Sequence, residues 1–150
     1  MKAAMGFGFF LLFLAGIALV MLQGREMARQ NLPGSGAGMA GLEWRPVSIG
    51  DAAVDADTSM FVRFAVDGSV NGNGGCNNFF GTLEATDDGI AMGELGATRM
   101  ACPPEIMDQE QAFMQALQGA AGFEMGDDSL RMFNTDNELL AEFMVVPGDK

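Results

Sequence analysis

Gly74-Gly75-Cys76-Asn77-Asn78-Phe79-Phe80-Gly81 is the stretch on which the reading of this chain turns. Glycines permit positive φ and close backbone approach. Asparagines bond their own backbone and tolerate left-handed geometry. The string therefore predicts a tightly wound turn that leads into a strand beginning at Phe79. From there Phe79, Gly81, Leu83 and Ala85 alternate with Phe80, Thr82, Glu84 and Thr86. That period of two is the signature of a strand with two different faces.

Working downstream, Asp87-Asp88-Gly89 marks a turn and Ile90–Met92 a short return strand. A second distinctive string, Ala97-Thr98-Arg99-Met100-Ala101-Cys102, stands directly before a proline pair. Pro103 and Pro104 suit the first turn of a helix, where a missing N–H costs nothing. Ile106, Phe113, Met114 and Leu117 form an apolar stripe, so 103–120 is predicted helical. Glu105, Asp108 and Glu110 put negative charge near its positive end. Three strands follow, at 122–125, 129–133 and 138–146, separated by Gly126-Asp127-Asp128 and Asn134-Thr135-Asp136-Asn137. The last is apolar on both faces, which places it centrally in a sheet.

Upstream, Trp44–Ile49 reads as a first strand. Met60–Val66 puts Met60, Val62, Phe64 and Val66 on one face, and Asp67-Gly68 signals a two-residue hairpin returning through Ser69–Gly72. The expected fold is α+β: a small antiparallel curved sheet or partial barrel with one covering helix.

The N-terminus is different in kind. Ala3–Leu22 is twenty residues without a charge, about 30 Å as a helix and enough to span a bilayer's hydrocarbon core. No small-residue cleavage site follows closely. An uncleaved transmembrane anchor over 1–24 is favoured, with a cleaved signal segment as the alternative. Residues 25–41 read as a flexible linker and 42–150 as the folded domain. Gly36, Gly38 and Gly41 carry dinucleotide-fingerprint spacing, but no strand precedes them and Trp44-Arg45-Pro46 follows, so they read as linker.

Charge and composition exclude much. The 150-residue chain carries a formal charge of -12; beyond residue 30 it has five basic and nineteen acidic side chains. Such a domain repels phosphate backbones, so no nucleic-acid partner is expected. With no histidine there is no Ser-His-Asp triad, and the only lysines are Lys2 and Lys150. No enzyme, cofactor or metal site is expected. Asp67 to Asn73 imitates the start of an EF-hand loop, but the twelfth position is Asn78 rather than glutamate. Asp57-Thr58-Ser59 lacks the glycine of an aspartic-protease motif. The thirteen methionines are scattered, and Met92, Met114, Met132 and Met144 are expected to fill core gaps.

The two cysteine strings, in this order, resemble the META-domain family, which includes HslJ-like heat-shock proteins. Its pattern is matched by Trp44, then Gly75, Cys76, Asn77, Phe79 and Gly81, then Thr98, Met100 and Cys102. Phe113 and Leu117 match the helix; Leu130 and Leu139 match the closing strands. The resemblance covers about residues 42–146. It implies an α+β domain, secreted or envelope-bound, tied to stress tolerance, with no catalytic residues to carry over.

For Cys76 and Cys102 a disulfide is the leading reading, which suits an oxidising compartment. Two reduced cysteines packed as small hydrophobes are the alternative. The expectation is thus a bacterial inner-membrane protein with one span and a periplasmic domain, or a secreted one if the segment is cleaved. Its partners would be the membrane, through the N-terminal helix, and an envelope protein or glycan. Two other functions compete: a thiol-redox protein using Cys76 and Cys102, with Arg99 as the only nearby cation, and a calcium-responsive adhesion or sensor module built on the acid-rich loops 51–57 and 67–73.

Overall fold

The computed structural model describes residues 38–146. The predicted anchor, 1–24, and the tether as far as residue 37 lie outside the described residues. Among those described, no helix is long and apolar enough to cross a membrane.

The architecture is a mostly antiparallel open sheet with one helix. The strands are β1 Glu43–Ile49, β2 Ala52–Ala53, β3 Phe61–Phe64, β4 Ser69–Asn73, β5 Asn78–Thr86, β6 Gly89–Met92, β7 Gly96–Ala97, β8 Gly122–Met125, β9 Ser129–Phe133 and β10 Leu139–Val146; helix α1 is Pro104–Gln118. The sheet runs β6-β5-β4-β3-β1-β10-β9-β8, with β2 paired to β1 and β7 to β5. The strand read as central from its apolar faces, β10, lies between β1 and β9.

The core follows from the alternation. Trp44, Val62, Phe64, Val70, Phe79, Leu130, Met132, Ala141 and Phe143 point inward and are buried. α1 lays Phe113, Ala116 and Leu117 over them. The Phe113 ring meets Phe79 edge-on at 5.8 Å and Phe143 at 6.1 Å. Each such ring contributes about 2–3 kcal/mol by leaving water. No side chain caps the helix; Pro103 stands at the N-cap and Pro104 in the first turn. Its geometry comes instead from proline's fixed φ and the packed face.

The domain starts earlier than residue 42. Met39 is fully buried, and its carbonyl accepts the Trp44 indole N–H at 3.0 Å. Ala40 bridges Phe64 in parallel, and the Gly41 N–H donates to the Phe64 carbonyl at 2.9 Å. The glycines around Met39 hid a buried residue whose carbonyl holds the Trp44 indole.

Three other expectations are corrected. The β3–β4 connection has four residues, 65–68, rather than two: Ala65 N–H donates to the Ser69 carbonyl, and Gly68 takes φ +83. This is a turn closed by a glycine bulge, and the extra residues leave Val66 outside the strand, 90% exposed. Ile106 leaves the core stripe and lies over Gly75 instead. Met144 is exposed, because Ala141 and Phe143 take the inward positions of β10. The return strand read at Ser69–Gly72 is β4, and an Asp67 oxygen accepts the Ser69 hydroxyl and N–H.

The sheet curls until its two edges meet at one point. The Ile90 N–H on β6 donates to the carbonyl of Ala121, just before β8, at 3.0 Å. Gly89 makes this approach possible, since any Cβ there would overlap the Ala121 carbonyl.

Candidate functional site

The turn before β5 is wound as the sequence predicts. Gly75 takes φ +108, where glycine alone sits without strain. The Asn73 carboxamide oxygen accepts the Gly75 N–H at 2.8 Å, and the Gly74 N–H donates to the Asn77 carbonyl at 2.8 Å. As a result the N–H groups of Cys76 and Asn77 both point toward α1.

There they meet Glu110. Its Oε2 accepts the Asn77 N–H at 2.6 Å and the Cys76 N–H at 3.2 Å, while Oε1 accepts the Asn77 Nδ2 at 2.7 Å. Gly74 has no side chain for a steric reason: a Cβ would lie 2.6 Å from Glu110 Cγ. A carboxylate ringed by three N–H donors forms charge-assisted bonds, about twice as strong as neutral ones.

Asn77 is the hub. It is 4% exposed, the one buried polar residue among those described. Its Oδ1 accepts the Met100 N–H at 2.6 Å and the Thr98 hydroxyl at 2.9 Å. The Thr98 hydroxyl in turn accepts the Asn78 N–H at 3.2 Å. Cys76 and Cys102 are bonded as a disulfide, with Cα atoms 6.0 Å apart. The chain has no free cysteine.

Six of the nine motif residues thus come together: Gly75, Cys76, Asn77, Thr98, Met100 and Cys102. The other three act elsewhere. Phe79 carries the strand into the core, Trp44 pins Met39, and Gly81 leaves room for Leu95, whose Cδ2 would sit 2.5 Å from a Cβ. Met100 contributes its backbone only, and its side chain is exposed. Arg99 is exposed beside a sulfur pair already bonded, so it has no thiol to ionise.

The sequence reading missed Glu110. Its acidity was attributed to the helix end, yet it sits seven residues into α1, beyond the reach of the end charge. A signal was present: an acid one turn before the buried Phe113, in a chain with a glycine turn whose N–H groups needed an acceptor.

Chemically, the arrangement binds parts of the chain to each other. Every polar group of Asn77 and both oxygens of Glu110 are engaged. Among the described residues, no group of three or more Cys, Asp or Glu side chains is placed to hold a metal ion.

Comparison with known proteins bears on this constellation. A family model described as META domain matches residues 37–146. No curated protein matches. Among solved structures, an NMR structure of a protein from Burkholderia xenovorans shares 19% identity, covering 76% of this chain and 88% of its own, with a TM-score of 0.58. A crystal structure of a DUF4847 family protein from Bacteroides vulgatus shares 16% identity, covering 77% of this chain and 100% of its own, with a TM-score of 0.56. A further NMR structure is 16% identical, covers 73% of this chain and 92% of its own, and has a TM-score of 0.58. At such identities the likeness is one of fold.

Proposed function

The chain belongs to the META domain family, and on that premise we propose that it is a non-catalytic, membrane-tethered envelope module, a binding or structural domain that serves under stress. One observation carries the reading: the motif side chains are consumed in holding the β5 turn, the segment before α1 and α1 itself together. Asn77 and Glu110 have no polar atom left for a substrate. The disulfide fits an oxidising compartment, and the uncharged run Ala3–Leu22 supplies the tether. On this reading the acidic domain faces the periplasm and its partner is an envelope protein or glycan.

The test is the full chain expressed in a bacterium with two membranes. The expected result is sedimentation with the inner membrane, protease access to the domain in spheroplasts but not in intact cells, and in-cell crosslinks to an envelope component. Protection in spheroplasts would reverse the topology. A reproducible turnover abolished by a point substitution would end the non-catalytic reading.

A further inference from the structure

At the far end of β5, about 25 Å from the Asn77 hub by strand rise, the chain forms a second feature that the family motifs do not touch. The β5–β6 turn, the start of β8 and the β9–β10 turn converge around a cleft of about 600 Å³. That volume falls within the range of about 300–1,000 Å³ typical of small-ligand sites. Phe133 and the largely buried Phe123 form its apolar lining, with Thr86, Asp88, Asn134, Thr135 and Asn137 around it.

One cleft-lining side chain builds the β9–β10 turn, and those of Thr135 and Asn137 take no part in it. Asn134 does the structural work: its Oδ1 accepts the N–H groups of Asp136 and Glu138, both at 2.9 Å, and its Nδ2 donates to Glu138 at 2.8 Å. Asn137 is then held at φ +62, the one non-glycine positive φ among the described residues. Asparagine tolerates that conformation, but glycine serves it as well. Thr86, Asp88, Thr135 and Asn137 have no side-chain hydrogen bond or ion pair to any described residue. Gly122 lines the cleft too, and a Cβ there would meet only open space.

The chemistry of the lining selects a ligand class. No lysine or arginine lines the cleft, so nothing offsets an anion. Glu124 is paired with Arg131 at 2.8 Å, which leaves Asp88 as the single unpaired carboxylate. One negative charge is a poor match for a basic peptide. Hydroxyls, carboxamides and a carboxylate beside the Phe133 ring suit a ring with an apolar C–H face and hydroxyls that both donate and accept.

We propose that this cleft binds a short neutral saccharide, its ring against Phe133 and its hydroxyls on Asp88, Thr135 and Asn137. The inference deepens the binding-module reading and rests on it. It adds a place and a ligand class.

The test uses the isotope-labelled full chain in a detergent without a sugar headgroup. Maltotriose, cellotriose and chitotriose are titrated separately, with trilysine and inorganic phosphate as the competing chemistries. At least one trisaccharide shifts the amides of residues 86–90, 121–124 and 134–137. Asn137→Gly, which keeps the backbone, and Gly122→Phe, which fills the cleft, each weaken that binding at least about tenfold while leaving the melting temperature within a few degrees. Silence with all three sugars overturns the proposal. So does a response to trilysine or phosphate alone, or sugar binding that both variants leave unchanged. Silence here together with in-cell crosslinks to an envelope protein would remove the site and leave the module reading intact.

Discussion

The carboxylate of Glu110 accepts the backbone N–H of Asn77 at 2.6 Å across 33 positions of chain. It belongs to a network that ties a glycine turn to the middle of a helix. The two residues lie on opposite sides of the disulfide loop's boundary, so the bond and the sulfur bridge reinforce one closure.

Glu110→Gln should destabilise the domain by about 2 kcal/mol, because its amide must turn an N–H toward donors that a carboxylate accepts from. Glu110→Ala should cost about 3 kcal/mol. Gly74→Ala displaces the same side chain, so Gly74→Ala combined with Glu110→Ala should cost much less than the sum of the two. Urea unfolding of the four proteins checks this. Full additivity would separate Gly74 from Glu110.

Reducing the disulfide, or replacing both Cys76 and Cys102 with alanine, should cost at most about 3.5 kcal/mol on the chain-entropy estimate for a separation of 26. Melting curves with and without dithiothreitol give the number. The thiol-redox alternative requires the bond to open at glutathione-range potentials. A bond that resists them would count against it.

Gly89→Ala should part the sheet edges, since its methyl would occupy the place of the Ala121 carbonyl. The expected cost is about 2 kcal/mol. Hydrogen exchange is the sharper measurement: the Ile90 amide should lose protection while those of Cys76 and Asn77 keep theirs. Equal loss at all three would mean that the domain opens as one unit.

The Asp67 carboxyl is held below the ordinary aspartate range, chiefly because the Ser69 hydroxyl donates to its carboxylate, with help from the Ser69 N–H. A depressed folded pKa stabilises above the unfolded value, about 3.9, and that contribution is lost as pH falls through the folded value. Ser69→Ala should move the Asp67 carboxyl titration back upward in a carbon-detected NMR experiment. No movement would reassign the shift to the backbone bond.

Much of the fold was legible because periodicity and turn chemistry agree. Asn134 to Asn137, Asp87 to Gly89 and the two-faced β10 read directly. What stayed hidden was long-range or very short. β2 and β7 have two residues each, too few for a period. Met39 stands among glycines, where no period marks it as core. The motif residues of the site were legible as a pattern, but the pattern omits the acid that completes it. Glu110 is paired with its turn by folding, and no spacing rule reaches across 33 positions.

The disulfide has a mechanical consequence. It encloses residues 77–101, and with them all of β5, β6 and β7. If tension reaches the domain through its two ends, that loop cannot pay out. Fully extended, it would otherwise lengthen the chain by about 90 Å. A single-molecule pull should therefore show a contour shorter by that amount in oxidising buffer, with three strands carrying no load.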